Sequence, residues 1–225
     1  MSCFAITSNH PRHLKFLETL YRKINIPLVI IVDKGPTLHE EAEYFKSDLS
    51  YLYRENVLKC DKHQLHSRFV LQTIQAISPD VGFVFGAPLL KGELFNIPKH
   101  GCVNIHTGLV DHYRGVDSAF WAINDERLDL IGATLHYIDN SIDAGNVIGM
   151  QNVKPEKSDT PETLFYKSCE AGFELLDNNL EGILNNTVSQ IKLDKLGKLY
   201  QNKDMNKNIA ESVKNKLPKL LEMLK

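Results

Sequence analysis

Five consecutive aliphatic residues, Leu28-Val29-Ile30-Ile31-Val32, constrain the fold more than any other feature of the sequence. A strand with one wet face alternates apolar and polar residues, whereas a run that is apolar throughout suits a strand covered on both faces, as in the middle of a parallel sheet. Parallel neighbours need a crossover, and one is in place. An earlier apolar run covers residues 2–7, and between the two runs Leu14, Leu17, Tyr21 and Ile24 recur at helical spacing behind Asn9 and Pro11. The first half therefore reads as a β-α-β unit and the chain as a doubly wound α/β protein.

Further elements follow the same logic. The polar stretch 36–56, with Tyr44, Phe45, Tyr51, Leu52 and Tyr53, predicts irregular helix, and residues 64–77 predict a better one carrying Leu65, Phe69, Ile74 and Ile77. Residues 81–85 are a short apolar run stopped by Gly86-Ala87-Pro88, and a Gly there lets a backbone approach a ligand at the carboxyl end of a strand. A strand is expected at 102–105, a loop at 108–118, a helix start at 120–123, and two strands at 132–138 and 146–153 joined through a tight Asp143-Ala144-Gly145 turn. The first of that pair alternates Ala133, Leu135 and Tyr137 against Thr134 and His136. Thr160-Pro161 opens a long helix as N-cap and first helical residue. A catalytic domain is expected to close near residue 190, leaving 191–225 as a short extension with a strand at 198–201 and a Lys-rich helix from Asn206 to Lys225.

Composition removes whole classes of function. Of 225 residues, 43% are hydrophobic and 24% charged, and 13 Gly and 9 Pro are too few for a low-complexity chain. Lys and Arg number 26 against 28 Asp and Glu, a net charge of -2 that gives no broad positive field for nucleic acid. The longest apolar stretches fall well short of a membrane span and the N-terminus lacks a secretory pattern, so the protein is expected in the cytoplasm and off membranes. The four cysteines form no C-x-x-C pair and are read as buried thiols. His10, His13, His63 and His66 invite a metal reading, but His63 and His66 lack a carboxylate or Cys partner at ligand spacing, and no metal is expected. The Lys214, Lys216, Lys219 and Lys225 group reads as the wet face of the last helix, and Trp121 as core packing.

Three short pieces carry chemistry: Asn104-Ile105-His106 at a strand end, Arg114-Gly115 in the loop after it, and residues 132–139 followed by Ile142-Asp143-Ala144-Gly145. Strand alternation puts Asn104 and His106 on one face. An Asn amide donates to a developing oxyanion, a His shuttles a proton, and an Asp orients or charges that His, which are the roles acyl transfer needs. His136 reads rather as a core or supporting histidine.

In this order and spacing the set resembles the folate-dependent formyltransferase family, whose members carry Asn-Ile-His, a loop with Arg-Gly, then Gly-Val/Ala-Thr-x-His and a downstream Asp-x-Gly. The resemblance runs from about residue 81 to 151. It implies a Rossmann-like formyltransferase fold and transfer of a formyl group from 10-formyltetrahydrofolate to a primary amine. On that basis Asn104, His106 and Asp143 would be the catalytic set, with a carboxylate beside the histidine favouring its charged form. The family analogy assigns folate-lining positions to Phe85, Gly86, Leu89, Leu90, Asp139, Ile142 and Gly145. It assigns acceptor contacts to Thr107, Arg114 and Gly115.

Departures from the family narrow the acceptor. After the histidine, enzymes acting on methionyl-tRNA or glycinamide ribotide usually have Ser-Leu-Leu-Pro, where this chain has Thr107-Gly108-Leu109-Val110-Asp111. The Gly-Asn-Gly-Ser phosphate turn of the glycinamide ribotide enzymes is replaced by Ser8-Asn9-His10-Pro11, which removes the backbone cradle for a ribose phosphate. Thirty-five residues after 190 are expected to be too few for the basic tRNA-binding domain of the methionyl-tRNA enzymes, and the regulatory domain of formyltetrahydrofolate hydrolases is expected to have no counterpart. The remaining family members act on nucleotide-linked amino-deoxysugars, and several share the Trp-Ala pair seen at Trp121-Ala122. A nucleotide-linked amino sugar is thus the expected acceptor, with the tail serving nucleotide binding or a homodimer contact. A glycinamide ribotide-like transferase, a hydrolase, and a nonenzymatic folate- or nucleotide-binding protein are the alternatives.

Overall fold

The computed structural model describes residues 1–36 and 39–224. Residues 37 and 38, inside the expected irregular helix, and Lys225, the last of the expected lysine group, lie outside the described residues. Seven strands form a mostly parallel sheet: β1 (Cys3–Ser8), β2 (Leu28–Val32), β3 (Val57–Cys60), β4 (Val81–Phe85), β5 (Cys102–His106), β7 (Gly132–Tyr137) and β8 (Val147–Asn152), in the order β3-β2-β1-β4-β5-β7-β8. A second, two-stranded sheet joins β6 (Tyr113–Gly115) to β9 (Lys198–Tyr200). The chain divides into two compact units, residues 1–104, 137–140 and 177–189 in one and 105–136, 141–176 and 190–225 in the other.

In the first unit, β1 pairs in parallel with β2 on one side and β4 on the other, and β2 pairs in parallel with β3. All five residues of β2 and all six of β1 are buried, as the uninterrupted apolar run requires. Helix α1 (Pro11–Tyr21) starts with Pro11 in its first turn and buries Leu14, Phe16, Leu17 and Leu20; Ile24, expected on the same face, lies beyond its end. The polar stretch after β2 contributes α2 (His39–Phe45) and a 3-10 turn at Leu49–Tyr53. Helix α3 (Arg68–Ala76) begins later than the pattern predicts, because Ser67 caps it by accepting from Val70 N. The core packs Phe4, Ile6, Ile30, Val84 and Cys102 against Leu65, Val70, Ile74 and Leu94. Strand β3 and the one-turn helix α4 (Gly92–Phe95) were not expected. β3 is four residues long, and its Val57, Leu58 and Lys59 are only half-buried or exposed, so no apolar run announces it.

The second unit holds α5 (Ser118–Asn124), the antiparallel β7–β8 pair, most of the long α6 (Pro161–Leu184), and the tail with α7 (Lys207–Glu222). Thr160 Oγ1 accepts from Thr163 N at 3.1 Å, the capping bond expected at the start of α6. One reading changes: the expected loop 108–118 contains β6, which finds its partner 80-odd residues downstream in β9 and is invisible to local pattern. The strand expected at 132–138 is present as β7, with Gly132 to His136 all buried. Helix α7 packs on α5, burying Val213, Leu217 and Leu221, while Lys216 Nζ donates to Asn124 O at 2.6 Å and pairs with Glu126 at 3.1 Å. Trp121 is core, its ring stacked on Tyr200 with centroids 4.0 Å apart. All four cysteines are buried thiols.

Candidate active site

The chemistry-bearing residues of the second unit converge on the carboxylate of Asp143. Its Oδ2 accepts from Gly115 N at 2.8 Å and lies 3.4 Å from His106 Nδ1. Its other oxygen, Oδ1, lies 3.6 Å from His136 Nε2. The carboxylate is thus flanked by an imidazole on each side and pinned by a backbone N–H. Asp143 adopts φ 48°, a left-handed conformation that Asp tolerates better than most residues; three polar partners on one side chain hold it there.

Burial alone would push the Asp143 carboxyl up, but the charge of His106, the hydrogen bond and charge of His136, and the Gly115 N–H outweigh it. The carboxyl is held well below the ordinary carboxylate range and is ionised throughout the neutral region.

His106 is buried, at 6% exposure, at the end of β5. Its Nε2 lies 3.0 Å from the Tyr113 carbonyl oxygen and 3.2 Å from Ser118 Oγ. A carbonyl oxygen only accepts, so Nε2 is the donor to it, while Nδ1 faces the Asp143 carboxylate. Ser118 reaches the ring because it opens α5. Gly108 permits that approach: a Cβ there would lie 2.4 Å from Ser118 Oγ and 2.6 Å from His106 Nε2. Thr134 fixes the same loop, donating to Gly108 O at 2.7 Å and accepting from Val110 N at 3.2 Å.

Arg114 ties the loops together. Its Nη1 donates to Ile142 O at 3.1 Å and its Nε to Gly197 O at 2.9 Å, so two of its donors hold the turn carrying Asp143 and the start of the tail. Gly115 adds the backbone N–H on Asp143 and has φ +89°, with no room for a side chain, since a Cβ would meet Tyr200 O at 1.9 Å. Gly115→Ala is therefore expected to destabilise the fold by about 3 kcal/mol or more, combining left-handed strain with a backbone clash. Denaturant unfolding measures this, and a midpoint unchanged from wild type overturns it.

The expected residues distribute over both units. Thr107, Ile142 and Gly145 accompany His106, Arg114, Gly115 and Asp143 in the second unit, with Gly145 buried and the other two half-buried. Asn104, two residues before His106 on β5 and half-buried, belongs to the first unit with Phe85, Gly86, Leu89, Leu90 and Asp139. Phe85 is packed against His13 and Phe16, its carbonyl accepting from Thr7 Oγ1 at 2.8 Å, and Gly86, at φ +64°, leaves space for the His13 ring. Leu89 and Asp139 are exposed, and Leu90 is buried in the core of its unit. Sequence reasoning passed over Ser118, Thr134 and the direct approach of His136 to Asp143. Thr134 and His136 were in view within the Gly132–His136 stretch, while nothing local singles out Ser118. Among the described residues no three His, Cys, Asp or Glu side chains are grouped to hold a metal ion, and no helix is long and apolar enough to cross a membrane.

A carboxylate set between two histidines can hold and move a proton. Comparison with known proteins says which family carries it here. A family model described as formyl transferase matches residues 5–179, and the chain belongs to that family. It is 31% identical over 131 residues to the methionyl-tRNA formyltransferase of Lachnospira eligens, a match covering 55% of this chain and 41% of that relative, so the chain corresponds to less than half of the relative's length. Among solved structures it is similar in fold to a 4-N formyltransferase from Francisella tularensis, with TM-score 0.68 and 20% identity over 94% of this chain and 86% of the other. The N-formyltransferase from Helicobacter canadensis, solved with folinic acid and dTDP-3-aminofucose, gives TM-score 0.66 and 21% identity over 92% and 73%.

Proposed function

We propose that the chain transfers a formyl group from 10-formyltetrahydrofolate to a primary amine, with the amino group of a nucleotide-linked amino-deoxysugar as acceptor. The observation that carries this is the Asp143 carboxylate flanked by His106 and His136 and held by Gly115 N. The amine nitrogen attacks the formyl carbon, the carbonyl oxygen takes up negative charge, and the bond to the folate nitrogen breaks as that nitrogen gains a proton. His106, with hydrogen to give on one side and a carboxylate behind it, supplies the proton relay; Asn104 donates to the oxyanion. On this reading positions in 85–90 and 139–145 contribute folate contacts, and Arg114 and Thr107 contribute acceptor contacts. The sugar acceptor is supported by the neighbour solved with dTDP-3-aminofucose and by Ser8-Asn9-His10-Pro11 standing where a glycine-rich phosphate turn would follow β1.

The methionyl-tRNA relative supplies a competing acceptor. The test incubates the protein with 10-formyltetrahydrofolate and, separately, dTDP-linked 3-amino and 4-amino sugars, methionyl-tRNA, or no amine, and follows tetrahydrofolate release. Release that depends on the sugar nucleotide is expected. Release only with methionyl-tRNA transfers the acceptor, release without amine makes the protein a hydrolase, and none at all overturns the reading.

A further inference from the structure

The carboxyl ends of β1, β2 and β3 surround a cleft of about 460 Å³ that lies wholly within the first unit and uses none of the residues so far placed in the reaction. In open α/β sheets, ligands bind outside the carboxyl ends of the strands. The volume falls in the range of small-molecule sites, of order 300–1,000 Å³. Its floor is apolar, from Ile31, Leu52 and Cys60, and its rim is polar.

Two carboxylates stand side by side on this rim. Val32 and Cys60 are paired across adjacent parallel strands, and Asp33 and Asp61 are the next residue on each. Each carboxylate has one oxygen fixed by its own loop. Asp33 Oδ1 accepts from Gly35 N at 2.8 Å and Asn9 Nδ2 at 2.9 Å, and Asp61 Oδ1 accepts from His63 N at 2.7 Å and Gln64 N at 3.0 Å. Among the described residues the second oxygen of each has no hydrogen-bond partner. Gln64 turns its Oε1 to Asp61 N at 3.0 Å, which leaves its amide hydrogens as donors at the same edge. Tyr53, 78% exposed, offers a flat ring, with Lys59 Nζ over one face of it, 4.5 Å from the centroid, and the other face available.

Spare carboxylate acceptors beside a spare amide donor select a group that donates and accepts at once, which is the hydroxyl. Adjacent acceptors on strands about 4.8 Å apart match two neighbouring hydroxyls rather than one. An aromatic ring beside them provides stacking for a flat or apolar-faced body. A phosphate meets two carboxylates and only one lysine here, and is disfavoured.

We propose that this cleft is a second binding site, for the vicinal diol of a ribonucleoside: the 2′- and 3′-hydroxyls donate to Asp33 and Asp61, Gln64 donates to one of them, and the base lies on Tyr53. The site is independent of the formyl-transfer reading, because every residue in it lies outside the His106, His136 and Asp143 group.

Calorimetry with the intact protein and adenosine or uridine is the test. Binding in the submillimolar to millimolar range is expected, as is a loss of about tenfold or more with Asp33→Asn, since a hydrogen bond to a charged group is removed. Tyr53→Ala, a substitution at an exposed position that leaves the core intact, is expected to weaken binding by several-fold. The 2′,3′-dideoxynucleosides should bind at least tenfold more weakly than their ribo counterparts. Equal affinity for both forms, affinity unchanged in both variants, or no heat with either nucleoside up to about 10 mM overturns the proposal. Formyl transfer by the same variants should remain at the wild-type rate. A wild type that binds nucleosides without transferring formyl groups overturns the proposed function and leaves this site standing.

Discussion

His106→Ala is expected to lower the rate of amine-dependent tetrahydrofolate release by roughly 100- to 10,000-fold, the span associated with losing a positioned acid–base group. The expectation rests on where the ring sits. One nitrogen faces the Tyr113 carbonyl and the Ser118 hydroxyl, the other the Asp143 carboxylate, so the ring is fixed at both ends before any substrate arrives. Alanine also removes a buried ring and leaves Tyr113 O without its donor, which costs stability of about 1–3 kcal/mol. His106→Asn separates the two effects: its amide retains a donor for that carbonyl but cannot carry a proton between two sites. Both variants should bind 10-formyltetrahydrofolate within a few-fold of wild type. A folded His106→Asn protein that turns over at a comparable rate to wild type removes His106 from the mechanism.

How much of this was readable beforehand differs by element. β1, β2, β4 and α1 were legible because double-sided burial writes itself as unbroken apolar runs and one-sided burial as a helical period. β3 was not, because its first three residues are only half-buried or exposed and carry no pattern. β6 was not, because three residues make a strand only when β9 arrives from far along the chain. The site followed the same rule. His106 and Asp143 stood out through the residues around them, whereas Gly115, expected to touch an acceptor, acts on Asp143 through its backbone N–H, and Arg114 commits two donors to backbone carbonyls. Ser118 was missed because its meeting with His106 depends on Gly108 leaving room, a fact about space and not about spacing.

Asp143→Asn gives the second large effect, and its signature is in the pH dependence. Asparagine keeps an oxygen for Gly115 N, so the backbone anchor survives while the negative charge between His106 and His136 is lost. At neutral pH the variant should be less stable by roughly 3 kcal/mol, since breaking a buried charge set by removing one partner typically costs that much or more. The sign of the pH dependence follows from the depressed carboxyl. In the unfolded chain Asp143 titrates near about 3.9, whereas in the folded protein it stays ionised to lower pH. Between those two points the unfolded state binds a proton that the folded state does not, so the stabilisation is complete above about pH 5 and declines as the pH falls below about 4. Urea unfolding of wild type and variant across pH 7 to 3 should therefore show a gap that is constant at the upper end and narrows at the acid end. A gap that stays level or widens on acidification contradicts the assignment of Asp143 as an ionised partner of the two buried histidines. Formyl transfer in the variant should also fall by about 100-fold or more, because without the carboxylate the orientation of His106 is no longer supported. Retained turnover together with the expected stability loss would make Asp143 a purely structural tie between the loops.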